Sequence, residues 1–302
     1  MNRTLLGAAL AATSLLALVG CAAEAPQPSP SGTIAVVAST DVYGDIAAQI
    51  GGDLVSVTSI IDNPNQDPHE FEADARSQLA LSKAQVVIEN GAGYDPFVDT
   101  MLGALGDSTA ARLVVAELAA PRLDQSATDF NEHLWYDLPT MAALAQALVD
   151  EYSTLVPEHK ADFSTRGDTF LAGVTALEER TAQIAALSDG AGVLVTEPLP
   201  LYLTQAAGLL NKTPAAFARA MEDGTDVSPV VLKDVLQLVS SGQVAVVVYN
   251  EQTSNAQTEQ VLKAANEAAV PVVAMTETLP VGTDYLGWMA DNVSGLATAL
   301  GR

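Results

Sequence analysis

The chain has 302 residues, a formal net charge of −24 at pH 7 and a hydrophobic content of 49%. This strong negative charge argues against a nucleic-acid partner, because binding to phosphates requires clustered cations. The hydrophobic content is sufficient for one large or two medium-sized folded domains.

The first 20 residues are typical of an export signal. Arg3 supplies a positive charge, residues 5–19 are apolar, and the stretch ends in the lipobox-like sequence Leu-Val-Gly-Cys at Cys21. The apolar stretch is shorter than the roughly 20 residues that a membrane-spanning helix needs. We therefore predict a lipoprotein signal peptide at residues 1–20, although an ordinary secretory signal with an incidental cysteine is the alternative.

Cys21 is the only cysteine in the chain, so neither an internal disulfide nor a thiolate metal site can form. Lipidation explains a single cysteine at this position. Residues 21–32 are small and rich in proline and serine, which is typical of a flexible tether. We expect an extracytoplasmic protein that is lipid-anchored to the outer face of the cytoplasmic membrane.

Strands and helices alternate in the first half of the folded chain. Apolar runs rich in β-branched residues predict strands, and apolar residues at helical spacing predict the helices between them. The predicted strands are residues 34–37, 54–60, 84–89 and 113–116, and the predicted helices are residues 42–50, 75–83 and 138–152. This alternation predicts a parallel sheet flanked by helices, in an N-terminal lobe at residues 33–157.

Residues 158–188 lack strand signals and are rich in helix-forming residues, which predicts one long linking helix. The alternation of strands and helices then resumes in a C-terminal lobe at residues 189–302. Its predicted strands are residues 192–196, 243–249 and 271–275, and its predicted helices are residues 201–209, 228–238, 256–269 and 285–300. The predicted fold class is α/β, with two βα lobes joined by one long helix.

Two of the three histidines, His69 and His133, lie in loops that follow predicted strands. Glu197 follows a strand directly, and Asp284 lies in the loop after the last strand. Ligands of open α/β sheets bind beyond the carboxyl ends of the strands, so these four residues are candidate metal ligands in an interlobe cleft. Two imidazoles and two carboxylates suit Zn²⁺ or Mn²⁺ better than Cu(I).

Each candidate has a structural alternative. The two histidines are also compatible with solvent-exposed loops, and Glu197 with the end of a strand. Asp284 is equally compatible with the N-cap of the last helix, a position that aspartate often occupies. The third histidine, His159, is expected to be exposed at the start of the linking helix.

Four segments resemble the zinc/manganese solute-binding proteins of ABC importers. NQDPHEFEADARSQLALSKAQVVIENGAGYD resembles the first metal-binding loop, helix and strand, and NEHLWYDLPTM resembles the second histidine motif, apart from the leucine before its proline. VLVTEPLPLYLTQAAGL resembles the third ligand segment, and VAVVVYNEQTSNAQTEQVLKAANEAAVPVV the later strand–helix–strand unit. Together these segments follow the family's order through essentially the whole mature chain.

The resemblance implies a rigid linking helix and a four-ligand site made by His69, His133, Glu197 and Asp284. It implies a monomeric receptor, without catalytic activity, that passes its ion to a membrane permease with a cytoplasmic ATPase. Many zinc-dedicated members have a long histidine-rich loop before the second histidine, whereas LDQSATDFNEH is short here. Together with glutamate at the third position, this favours Mn²⁺, with Zn²⁺ close behind.

Three other functions are compatible with parts of the pattern. A surface adhesin or interaction protein could share the fold and hold a structural metal. A zinc metalloenzyme would need a general base and an open ligand position, and the chain has no HExxH motif. A siderophore or corrinoid receptor could share the two-lobe architecture but would not need the two loop histidines.

Overall fold

A computed structural model describes residues 32–63, 66, 71–72, 74–106, 108–125 and 130–301. The predicted signal peptide, Cys21 and His69 lie outside the described residues, as does the tether apart from its last residue. Within the described part of the chain, no helix is both long enough and apolar enough to cross a membrane.

The N-terminal half forms a four-stranded parallel sheet with the strand order β2-β1-β3-β4. Central strands β1 and β3 are buried along almost their whole length, whereas edge strand β2 alternates between exposed and partly buried residues. The strands are β1 (Ile34–Thr40), β2 (Val55–Ile61), β3 (Val86–Glu89) and β4 (Ala111–Val114). The helices are α1 (Asp41–Gly51), α2 (Ala75–Leu81), α3 (Pro96–Leu105), α4 (Val115–Ala119) and α5 (Leu138–Leu155).

The C-terminal half repeats this winding in a second parallel sheet with the order β6-β5-β7-β8. In both sheets the strand order reverses beside the first strand, which opens a crevice at the carboxyl ends. The strands are β5 (Gly192–Val195), β6 (Leu210–Asn211), β7 (Val246–Asn250) and β8 (Val272–Met275). The helices are α7 (Leu201–Ala206), α8 (Ala215–Glu222), α9 (Pro229–Ser240), α10 (Ala256–Glu267) and α11 (Tyr285–Ala299).

Helix α6 (Lys160–Ser188) connects the two halves and has 29 residues, which corresponds to a length of about 43 Å. Its buried residues recur every three or four positions, so one continuous face packs against the rest of the protein. Gly167 on this face allows α5 to approach closely, since a Cβ at this position would lie 2.4 Å from a methyl group of Val149. The long helix is therefore packed along its length and does not bridge the lobes through solvent.

One hydrophobic core extends from the first sheet across α6 to the inner side of the second sheet. Two buried tyrosines also join the lobes by hydrogen bonds. Tyr136 donates to the carbonyl of Thr276 at 2.7 Å, and Tyr285 donates to the carbonyl of Trp135 at 2.8 Å. The two lobes are thus packed against each other next to the crevice.

The predicted α/β class with two lobes and a long helix is confirmed, and the differences are local. The fourth strand ends at Val114, because Val115 already begins the short helix α4. The helix predicted to reach residue 209 ends at Ala206 and is followed by the two-residue strand β6. Helices α3 and α8 were not predicted, and β6 is too short to give a periodic signal.

Candidate metal site

His133 lies just before a short 3₁₀ helix (Leu134–Tyr136) that leads into α5. The residue is 1% exposed. Its Nδ1 is 2.7 Å from Oδ1 of Asn131, whose Nδ2 donates to the carbonyl of Pro198 at 3.0 Å. Because Asn131 thus presents its oxygen to the ring, Nδ1 of His133 carries the proton. In the neutral imidazole Nε2 then keeps its lone pair, as a metal-binding imidazole requires.

The loop that carries His133 is held by side chains from both lobes. In the first lobe, Nδ2 of Asn90 at the end of β3 donates to the carbonyl of Glu132 at 3.0 Å. In the second lobe, the hydroxyl of Tyr202 donates to the carbonyl of Asn131 at 2.7 Å. The position of the imidazole therefore depends on contact between the lobes.

Aromatic rings form one wall around His133. The ring centroids of Tyr94 and Trp135 lie 6.3 and 5.1 Å from that of His133, and 4.9 Å from each other. The hydroxyl of Tyr94 donates to Oε1 of Glu277 at 3.0 Å. The rings limit the access of water to the imidazole, and burial raises the pKa of Tyr94, so that its phenol stays a neutral donor.

Glu197 lies two residues beyond β5 and is 5% exposed. Nδ2 of Asn250, the last residue of β7, donates to its Oε2 at 2.8 Å. The hydroxyl of Thr253 donates to its Oε1. These donors stabilise the ionised form and fix the orientation of the carboxylate, while each oxygen can still accept from or bind another partner.

Two acidic residues of the loop after β8 differ sharply in environment. Asp284 is exposed at the N-cap of α11, where its Oδ1 accepts a hydrogen bond from the backbone of Gly287 at 2.7 Å. Glu277 lies two residues beyond β8 and is 6% exposed. Its backbone N–H donates to Oε1 of Gln252 at 2.7 Å, and its side chain meets Tyr94. Sequence reasoning missed Glu277, although it follows a strand as closely as Glu197 does.

Glu222, at the end of α8, was also missed, because it lies on a helix that the sequence pattern did not reveal. Its Oε1 is 3.6 Å from Nε2 of His133. Glu132, His133 and Glu222 each place one potential ligand atom within 4.8 Å of the others. Burial raises the pKa of Glu222 to about 8, and the charge of Glu132 adds to the effect. The structure thus brings His133 together with two glutamates that the sequence did not assign.

His159 lies in another part of the sequence and has different surroundings from His133. It ends a short 3₁₀ helix (Pro157–His159) before α6, and its Nδ1 is 2.9 Å from the Asp162 carboxylate. Its side chain is 41% exposed. This agrees with the prediction that His159 is a solvent-exposed histidine.

Comparison with known proteins places the chain in a family. The family model described as zinc-uptake complex component A, periplasmic (ZnuA), matches residues 36–299. The manganese-binding lipoprotein MntA of Bacillus subtilis is 26% identical over 65% of this chain, which spans 64% of that relative's length, slightly less than two thirds. The substrate-binding lipoprotein scaA of a manganese ABC transporter from Streptococcus gordonii is 23% identical over 95% of this chain and 97% of its own length.

A solved structure supports the fold. The periplasmic zinc-binding protein TroA from Treponema pallidum superposes with a TM-score of 0.75 and 18% identity, over 90% of this chain and 100% of TroA. At this identity the likeness concerns the fold alone. The family assignment rests on the sequence match, which covers nearly the whole folded part: the chain belongs to the ZnuA family of periplasmic components of zinc-uptake complexes.

Proposed function

We propose that this chain is the extracytoplasmic receptor of an ABC importer, which captures Mn²⁺ or Zn²⁺ and delivers the ion to a membrane permease with an ATPase subunit. The proposal rests most directly on His133, a buried imidazole whose Nε2 keeps its lone pair and faces carboxylates. Membership in the ZnuA family and the functions for which the relatives are named support the same role.

The proposed ligands are His69, His133, Glu197 and one acidic residue from the loop after β8. We assign that last position to Glu277, because it is buried beside Tyr94, whereas Asp284 is exposed and its carboxylate caps α11. This assignment replaces Asp284 in the ligand set inferred from the resemblance. Glu197 and Glu277 would supply carboxylate oxygens in addition to the imidazole nitrogen. Carboxylate ligands favour Mn²⁺ over metals that prefer a shell of imidazole ligands alone.

The same proposal includes a lipid anchor at Cys21 and a monomeric receptor. Stable anchoring requires the several acyl chains of a mature lipoprotein, since one chain gives only marginal membrane binding. Replacement of Cys21 by alanine should therefore release the protein from the membrane fraction and abolish labelling with a lipid precursor. Retention of the variant in washed membranes would contradict the anchor.

The decisive experiment measures metal content and preference. Protein purified from metal-depleted cells should take up one ion per chain, with Mn²⁺ and Zn²⁺ offered separately and in competition. Affinity should fall below about pH 6, because the histidine ligands must be neutral and their ordinary pKa is about 6.5. Absence of stoichiometric binding, or an affinity that is constant from about pH 7 to pH 5, would contradict the proposal.

A further inference from the structure

We propose that Glu222 is a further ligand of the ion that His133 binds, and that it increases the preference of the site for Mn²⁺ over Zn²⁺. This role rests on the proposed metal-binding function. Unlike the other proposed ligands, Glu222 does not lie in a loop that follows a strand. Glu222 is the last residue of α8, in the second lobe.

Glu222 and His133 place two electron-pair donors at a distance typical of two ligands of one ion. Because Nδ1 of His133 faces Oδ1 of Asn131, its lone pair is on Nε2, and this nitrogen is 3.6 Å from Oε1 of Glu222. This separation is too long for a direct hydrogen bond. Two ligands at about 2.1 Å from one ion in a tetrahedral site lie about 3.4 Å apart. The observed distance therefore suits two ligands of a shared cation better than a proton shared between them.

One carboxylate oxygen of Glu222 is buried without a hydrogen-bond donor, although the side chain as a whole is partly exposed. Its Oε1 accepts no hydrogen bond from any described residue. Glu197, by comparison, receives donors on both of its oxygens. A buried carboxylate oxygen without a donor is unfavourable, and a bound cation would offset that cost.

The surroundings of Glu222 connect it to the surface. A pocket of about 420 Å³ reaches the residue, with Glu132 and Asp223 on its wall and Arg219 as the nearest cationic side chain along α8. No described hydrogen bond or ion pair joins Arg219 to Glu222. The carboxylate thus lies between an open acidic pocket and the buried Nε2 of His133, where an entering cation would meet it.

The consequence for selectivity depends on ligand type. Glu222 would add a carboxylate to the ones proposed at Glu197 and Glu277, giving an oxygen-rich shell. Oxygen ligands and higher coordination numbers suit Mn²⁺, whereas Zn²⁺ is satisfied by four ligands that include imidazole. Loss of Glu222 should therefore weaken Mn²⁺ binding more than Zn²⁺ binding.

The test compares Glu222→Gln with Asp223→Asn in the full chain. Both substitutions replace a carboxyl group by an amide in neighbouring residues that line the same pocket, but Asp223 is exposed and, unlike Glu222, is not in the group of potential ligand atoms around His133. Calorimetric titration with Mn²⁺ should show a loss of about tenfold or more for Glu222→Gln, a smaller loss with Zn²⁺, and less than about threefold for Asp223→Asn. Visible absorption of the Co²⁺-loaded protein should change in Glu222→Gln alone, because the spectrum reports the coordination of the ion.

The outcomes separate this inference from the proposed function. Failure of the wild type to bind an ion would overturn the receptor function, and with it this inference. Wild-type binding with equal losses in the two variants would overturn Glu222 as a ligand and leave only long-range attraction. An unchanged affinity of Glu222→Gln would do the same. Should Glu222→Gln unfold without metal, Glu222→Asp takes its place, and a Mn²⁺ affinity equal to that of the wild type would then overturn the assignment.

Discussion

The two lobes share one winding but supply different chemistry to the crevice between them. The first lobe contributes the imidazole of His133 and the aromatic rings of Tyr94 and Trp135. The second contributes the carboxylates of Glu197 and Glu277, together with the amide and hydroxyl groups that hold them. In the described part of the chain, the proposed imidazole ligand thus lies in the first lobe and the proposed carboxylate ligands lie in the second.

This difference gives the two sides of the proposed site different roles in cation binding. The nitrogen side is fixed by neutral hydrogen bonds, several of which cross between the lobes, such as that from Tyr202 to Asn131. The oxygen side carries negative charge in a buried setting, which is costly until a cation is bound. Binding should therefore depend on both lobes, but for different reasons.

The largest effect is expected from His133→Ala, which removes one of the two proposed imidazole ligands of the first lobe. Loss of an outer hydrogen-bond partner of a metal ligand costs up to about 100-fold in affinity. Because this substitution removes the ligand itself, the affinity for Mn²⁺ or Zn²⁺ should fall by more than about 100-fold. His159→Ala is the matched control, since His159 is an exposed histidine paired with Asp162. Calorimetric titration of both variants checks this, and a loss in His159→Ala without one in His133→Ala would reverse the assignment.

The next effect distinguishes the two acidic residues after β8. Glu277→Gln should reduce affinity by about 100-fold, because an amide is a much poorer ligand than a carboxylate. Asp284→Ala should leave affinity unchanged and lower the free energy of unfolding by about 1 kcal/mol, the usual cost of losing an N-cap. Titration and denaturant unfolding of both variants decide the question, and the opposite pattern would restore Asp284 as the ligand.

A smaller effect is expected where the second lobe orients its carboxylate. Asn250→Ala removes the donor to Oε2 of Glu197 but leaves the carboxylate itself in place. Partners of metal ligands typically contribute 10- to 100-fold in affinity, and we expect a loss of about tenfold here. Asn255→Ala is the control, because Asn255 caps α10 and should change stability alone. Equal affinities of Asn250→Ala and the wild type would show that Glu197 does not depend on this orientation.

Most of the secondary structure could be predicted from local sequence pattern. Runs of β-branched residues predicted seven of the eight strands, and helix-forming composition predicted α6. The pair Ser228-Pro229 is typical of a helix start, and α9 begins at Pro229, where the Ser228 hydroxyl accepts from the backbone of Val231. These features depend on residues close together in the chain, so periodicity and capping reveal them.

The parts of the site that depend on distant contacts could not be predicted. Glu222 approaches His133 only because α8 packs beside the second sheet, and the two residues lie 89 positions apart in the sequence. Glu277 and Asp284 have the same charge and lie in the same loop, so only burial distinguishes them. Neither hydrophobic period nor residue spacing contains that information.

The smallest effect concerns the contact of α1 with the second lobe and depends on pH. Oδ1 of Asp41 accepts from the backbone of Leu279 at 3.2 Å, and burial raises the pKa of Asp41 to about 6, with the charge of Asp62 adding to this. The folded protein therefore holds this proton more tightly than the unfolded chain, whose aspartates titrate near 3.8. Asp41 stabilises the fold best below about pH 3.8 and loses that contribution as the pH rises to about 6.

Asp41→Asn removes this titration and keeps an oxygen that can accept from Leu279. The melting temperature of the variant should match that of the wild type near pH 3.5. Between about pH 4 and pH 6 the melting temperature of the variant should rise increasingly above that of the wild type. At neutral pH the difference should correspond to about 1 kcal/mol in the free energy of unfolding. Asp53→Asn, at an exposed position in the 3₁₀ helix after α1, is the control for the loss of one aspartate carboxyl group. A variant less stable than the wild type at pH 7.5 would mean that the charge of Asp41 itself holds the lobes together.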